Sequence, residues 1–174
     1  MTCSDAVHLQ AIRRRACLPA FTKEHPFFET CKNGEDGIEV HISKNLVHWE
    51  NGGYRLKKGD VLGTHGFWSP EVSFFRGKFY MVYSADEHIA VALSERPTGP
   101  FKKYSGNPIL HRFDDIAGTG HHSFAPTGDS NKYICIYHCH SGDNESFTPR
   151  KICLAEAEFV QNPEDGKDIP VINQ

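Results

Sequence analysis

Arg76-Gly77-Lys78-Phe79-Tyr80-Met81-Val82-Tyr83-Ser84-Ala85-Asp86-Glu87-His88-Ile89-Ala90-Val91-Ala92-Leu93-Ser94 decides the fold. Two short apolar runs, Phe79–Ser84 and Ile89–Ser94, are separated by Asp86-Glu87 and preceded by Arg76-Gly77, the punctuation of tight hairpins. Upstream, Phe67 to Phe75 reads as a strand interrupted by Pro70, and downstream Pro97-Thr98-Gly99-Pro100 ends the unit in a turn. Strand, turn, strand, turn, strand at this spacing matches one blade of four short antiparallel strands.

Working outward, Gly37-Ile38-Glu39-Val40-His41-Ile42-Ser43 alternates apolar and polar side chains, as a strand with one buried face does. A turn at Ser43-Lys44-Asn45-Leu46 then leads to Trp49. The grammar recurs after residue 121: His122 to Ala125, the turn Thr127-Gly128-Asp129-Ser130-Asn131, the strand Tyr133–His138, and a last strand Lys151–Ala157. Residues 1–36 show weak periodicity, with a short helix expected over Ala6–Cys17 and no strand of useful length. The expected organisation is an irregular segment over 1–36 and, over 37–174, the short strands of an all-β sandwich, barrel or propeller, with little helix.

Bulk properties narrow the partners. The formal net charge of −3 gives no basic surface for nucleic acid or anionic membrane, and Arg13-Arg14-Arg15 reads as a short solvated patch. No apolar stretch approaches the about 18 residues that span a bilayer. Arg13 to Arg15 also interrupt what would be the apolar core of a signal peptide, so a soluble chain, cytoplasmic as it stands, is expected. The six cysteines show no Cys-x-x-Cys pair and no framework spacing. They read as reduced thiols packed as small apolar groups, with disulfides left open if the true start lies upstream.

Several strings, in order, resemble the five-bladed β-propeller glycosidases of glycoside hydrolase family 43. Gly37–Trp49 is similar to the end of that family's first blade, with its Ser-Lys-Asp-Leu-x-x-Trp turn. Phe67-Trp68-Ser69-Pro70-Glu71-Val72 resembles the Trp-Ala-Pro-Glu/Asp opening of the second blade, which Gly77–Ala85, His88–Ser94 and Pro97–Phe101 continue. Gly118-Thr119-Gly120-His121-His122-Ser123-Phe124 resembles the Gly-x-Gly-His-x-Ser element of the fifth blade, and Tyr137-His138-Cys139-His140 its closing Tyr-His-Ala-His. The resemblance covers about residues 34–160.

What it implies is inverting hydrolysis of arabinofuranosyl or xylosyl linkages in plant oligo- and polysaccharide. One carboxylate activates water and a second, across the sugar, protonates the leaving oxygen. A third acid, an Asp, tunes the proton donor. No cofactor is required, although relatives commonly hold a calcium ion near the channel axis.

The sequence departs from that pattern. The family's general base lies in an Asp-Pro context followed by Gly-x-Tyr-Tyr, and residues 1–36 contain neither. Pro97–Phe101 runs directly into Ser105-Gly106-Asn107-Pro108-Ile109-Leu110, which resembles the linker before the fifth blade, so the two blades that bring the proton donor and its orienting Asp are expected to be skipped. At about 40–50 residues per blade, 174 residues supply about three blades of five. The catalytic residues are therefore unassigned. The expectation is a partial propeller with little or no turnover, or a carbohydrate-binding or structural remnant, with self-association through its open blade edges as a third outcome.

Three residues stand out as substrate-binding candidates: Trp68, Glu71 and His121. Trp68 offers an apolar wall to a sugar ring, or is a core residue. Glu71 follows Trp68-Ser69-Pro70 and faces the channel by resemblance, or is a solvated strand-end acid. His121 matches the channel His that stands near calcium through water in relatives; a lone His is a poor calcium ligand in itself. Cys135, His138, Cys139 and His140 do not suggest zinc. Side chains alternate along a strand, so the two His share one face and the two Cys the other. Asp114-Asp115 and Asp86-Glu87 are neighbours in sequence, which does not give the separation that inverting chemistry needs, and both pairs read as turn residues.

Overall fold

A computed structural model describes residues 25–30, 36–111, 113, 116–129, 131–141, 150–162, 166 and 168–173. Those residues form strands and connecting turns, with no helix among them. The helix expected at Ala6–Cys17 lies outside them, as do Cys3, Cys17, Cys31, Asp114 and Asp115.

Three antiparallel sheets are present among the described residues. The first contains β1 (His25–Thr30), β2 (Gly37–Ser43) and β3 (Glu50–Lys57), in that order. The second contains β4 (Trp68–Phe75), β5 (Lys78–Ala85), β6 (His88–Ser94) and the two-residue β7 (Lys102–Lys103), also in chain order. The third runs in reverse across the sheet from β11 (Asp168–Ile172) through β10 (Lys151–Gln161) and β9 (Lys132–Ser141) to β8 (Ile116–Pro126). Short meanders with the first strand at one edge are the blade pattern that the sequence leads one to expect.

β1 is a departure from the sequence reading, because it lies where the periodicity predicts no strand. Its His-Pro-Phe-Phe-Glu-Thr has no alternation to betray it, and its partner is β2, in continuous register from His25↔Ser43 to Thr30↔Ile38. β3, β7 and β11 also lie outside the strands read from sequence.

The hairpins follow their turn chemistry. Phe75 pairs with Lys78 and Ala85 with His88, leaving two-residue loops. Both loops have positive φ throughout, 44° and 86° at Arg76-Gly77 and 49° and 62° at Asp86-Glu87, which matches the right-handed twist of the flanking strands. After β2, Ser43 Oγ accepts the N–H groups of Asn45 and Leu46, and Asn45 Oδ1 accepts those of Val47 and His48. This chain of side-chain-to-backbone bonds makes the turn ahead of Trp49.

The middle sheet is buried on both faces. From β5 and β6, Phe79, Met81, Tyr83, Ala85, Ala90 and Ala92 enter one core with Phe28, Ile38, Val40 and Leu56 of the first sheet. Tyr80, Val82, Ile89 and Val91 point the other way, into a second core with Cys135, Tyr137, Cys139 and Phe159 of the third sheet. The sequence reading expects the chain to skip two blades between the second and third of these sheets, and the two pack directly on one another.

The connection between those two sheets is fastened to the outer edge of β6. Ala92 and Leu93 pair with β7. Asn107 then takes Val91 on both sides, its Oδ1 accepting the N–H and its Nδ2 donating to the carbonyl, each at 2.8 Å. Ile89 pairs with Leu110, which is fully buried. A free strand edge is thereby covered by the same segment that carries the chain onward.

Candidate functional site

The first strands of the second and third sheets, β4 and β8, lie side by side at their sheets' inner edges. Two of the three candidate residues are on β4 and one is on β8, and a side-chain contact joins the strands at this level. Ser69 Oγ lies 2.9 Å from His121 Nδ1. Both residues have left-handed backbones, φ 51° at Ser69 and 41° at His121, a conformation that costs a non-glycine residue about 1–3 kcal/mol and must be held by its surroundings.

The middle sheet does the holding. Ser84, buried at the end of β5, accepts the backbone N–H of His121 at 2.9 Å, and Thr119 Oγ1 donates to the carbonyl of Glu87 at 2.8 Å. The β8–β9 register breaks between Ala117 and Gly120 and again between Gly120 and Ser123, so this stretch bulges. Glycines permit the crowding: a Cβ on Gly118 would stand 2.5 Å from His140 Cδ2.

Trp68 is 47% exposed, a large ring open at the start of β4. It lies over Gly66, where a side chain would overlap its ring. The preceding loop is anchored by Asp86, whose carboxylate accepts the N–H groups of Thr64 (2.8 Å) and His65 (2.6 Å) and the Thr64 hydroxyl (3.0 Å). Partial burial pushes the Asp86 carboxyl up, but these hydrogen bonds outweigh it and hold the group below the ordinary carboxylate range. Asp86 thus has a structural task, consistent with its place in a hairpin turn.

Glu71 sits past a register break in β4, half-buried, with Oε2 closed off from solvent. Its charge reaches the third sheet. Burial first, and the Glu71 carboxylate second, push the Cys135 thiol up to about 12. Among the described side chains of β4, β8 and β9, Glu71 is the one carboxylate.

Histidines cluster on the β8–β9 side. The His121 and His138 rings are 6.2 Å apart, and those of His138 and His140 are 5.9 Å apart. Desolvation, with Arg150 and the neighbouring imidazoles, lowers His138 to about 4. His122 turns the other way and is buried against Phe124, their rings 5.9 Å apart. Burial, reinforced by His121 and opposed by the backbone of Val82, lowers it to about 3, so it is a neutral core residue. Ser69 Oγ and the His138 ring stand beside His121. No group of three His, Cys, Asp or Glu that could hold a metal occurs among the described residues. A single imidazole is a poor direct ligand for calcium, which prefers oxygen.

Sequence reading missed Ser69, Ser84 and His138 as parts of this arrangement. Ser84 carries a faint signal, as the polar residue closing an otherwise apolar run.

Comparison with known proteins bears on this arrangement. The model of the glycosyl hydrolases family 43 matches residues 20–101. That match covers just under half of the chain, which over this stretch is similar to glycosyl hydrolases of family 43. The fold agrees beyond that segment. A thermostable family-43 glycoside hydrolase superposes with a TM-score of 0.63 at 26% identity, over 87% of this chain and 53% of its own. Xylan beta-1,4-xylosidase from Bacillus halodurans C-125 gives a TM-score of 0.68 at 14% identity, over 86% of this chain and 30% of its own. The endo-arabinase from Bacteroides thetaiotaomicron gives 0.55 at 16% identity, over 85% of this chain and 69% of its own. The chain thus spans about half the length of the first of these solved structures and less than a third of the second. No curated protein matches it in sequence. No helix among its described residues is long and apolar enough to cross a membrane.

The buried imidazoles predict acid sensitivity. His122 and His138 have folded values of about 3 and about 4 against 6.5 for an ordinary His, so the unfolded chain binds more protons between those limits. Stability is complete above about pH 6.5 and falls as the pH drops toward 4. Urea unfolding at pH 7.0 and 4.5 should show a lower midpoint at the acid pH. His122→Phe should narrow that difference; an unchanged pH dependence would remove His122 from the account.

Proposed function

We propose that this chain engages arabinofuranosyl- and xylosyl-containing plant polysaccharide as a family 43 glycosidase fold does, and that as it stands it binds such sugars with little or no turnover. The observation carrying this reading is the single carboxylate, Glu71, among the described side chains of β4, β8 and β9. Inverting hydrolysis needs two carboxyl groups about 6.5–9.5 Å apart, one to activate water and one to protonate the leaving oxygen.

In this proposal the exposed face of Trp68 packs against a sugar ring, whose axial C–H groups suit an aromatic surface. Glu71 accepts hydrogen bonds from sugar hydroxyls, and His121, fixed by Ser69 and Ser84, supplies a ring nitrogen beside them. No step requires a metal. The xylosidase and arabinase names of the structural relatives support the choice of sugar, and the family 43 match over residues 20–101 supports the substrate class.

Titration calorimetry with xylo- and arabino-oligosaccharides, run beside an assay on aryl arabinofuranoside and xyloside, tests this. Binding that weakens at least tenfold in Trp68→Ala and Glu71→Gln, with no measurable turnover, is expected. Turnover comparable to an intact family 43 enzyme would contradict the proposal of weak activity, and absence of binding would contradict the sugar site.

A second reading is favoured by one further observation. Ile136, Ile152 and Leu154 are 39%, 81% and 68% exposed, and the register Ile136↔Leu154 places them together on the face of the third sheet turned away from Cys135, Tyr137 and Cys139. We propose that two copies of the chain associate through this face. Light scattering after size exclusion should give twice the 19.6 kDa chain mass at tens of micromolar, and Ile152→Lys should return it to one. A wild-type monomer at every concentration would refute the association.

A further inference from the structure

The third sheet carries three cysteines on its inward face, and two of them touch. Cys139 Sγ and Cys153 Sγ are 2.8 Å apart. Cys139 pairs with Lys151 and Cys153 with Tyr137, so the thiols are diagonal neighbours across β9 and β10. Diagonal positions in an antiparallel ladder stand ~7–8 Å apart at the backbone; here the two sulfurs themselves are in contact. Cys139 is fully buried, whereas Cys153 is partly open to solvent. Cys135 lies two residues before Tyr137 on the same face, buried and opposite Ala155.

We propose that Cys139 and Cys153 are a reversible redox pair, closing to a disulfide that staples β9 to β10. The oxidant is a small-molecule disulfide of the glutathione class. The Cys153 thiolate attacks one sulfur of the oxidant, whose S–S bond breaks and releases one thiol, leaving a mixed disulfide on Cys153. The Cys139 thiolate then attacks the Cys153 sulfur, forming the protein disulfide and releasing the second thiol. Two protons and two electrons leave the protein, and the oxidant becomes two thiols. Burial first, and then the hydrogen bond with Cys153, push the Cys139 thiol up to about 11, so the second step is slow at neutral pH and faster in mild alkali. The closed bond would join positions 14 apart in sequence. Constraining a loop of that size stabilises a folded chain chiefly by restricting its unfolded state. Oxidation would therefore stiffen the sheet that carries both His121 and the apolar face.

The test uses the full chain incubated with oxidised glutathione at pH 8 or with dithiothreitol, then alkylated under denaturing conditions. Intact mass should show two fewer alkyl groups in the oxidised sample, and non-reducing peptide mapping should join Cys139 to Cys153. The oxidised protein should melt about 5–10 °C above the reduced one. Cys153→Ser should abolish that rise and Cys135→Ser should leave it. Full alkylation of Cys139 and Cys153 after oxidation, or a map that joins other partners, would overturn the proposal. The mapping needs only the wild-type chain, so it stands even where a serine variant folds poorly.

Discussion

Burial of the middle sheet on both faces is the constraint on which the rest of the molecule depends. Phe79–Ser84 is not an alternating strand with a wet side. Its odd residues enter one core and its even residues another, and Ile89–Ala92 on β6 divide in the same way. Each large apolar side chain buried in this fashion contributes about 1.5–3 kcal/mol. Neither flanking sheet can leave without returning several such side chains to water, so the three sheets are energetically one body. The connecting segment reinforces this by covering the outer edge of β6 and placing Leu110 in the second core.

The candidate site is a consequence of that packing. Ser69 and His121 hold left-handed backbones at the edges of two different sheets, and the groups that fix their neighbourhood, Ser84 and Asp86, come from the end of β5 and the turn after it. A strained edge is affordable where a doubly buried strand stands behind it. The same geometry splits two adjacent histidines. The bulge in β8 leaves His121 exposed beside Ser69 and sends His122 into the core as a neutral ring.

Much of the fold was legible in sequence because its hairpins use strong local signals. Arg76-Gly77 and Asp86-Glu87 set the second sheet, and the collinear family 43 strings set the architecture. β1 was not legible: Pro26 and the adjacent Phe27-Phe28 obscure any period, and the strand is defined by its long-range pairing with β2. β11 likewise has only five residues and takes its place from β10. Of the site, Trp68, Glu71 and His121 came from motif resemblance. Their partners Ser69 and Ser84 depend on contacts across 52 and 37 positions, which no local pattern reports. The direct packing of the second sheet on the third was also invisible, since alternation along a strand tells which faces are apolar but not which neighbour covers them.

Native-state hydrogen exchange on the intact chain tests the central claim most directly. Amides of β5 and β6 should be the slowest in the protein and should exchange only through global unfolding, with those of β2 and β9 next. If β5 and β6 exchange as fast as the outer strands β3 and β11, or if one flanking sheet opens while the middle sheet keeps its protection, the sheet does not depend on being covered on both sides and the account fails.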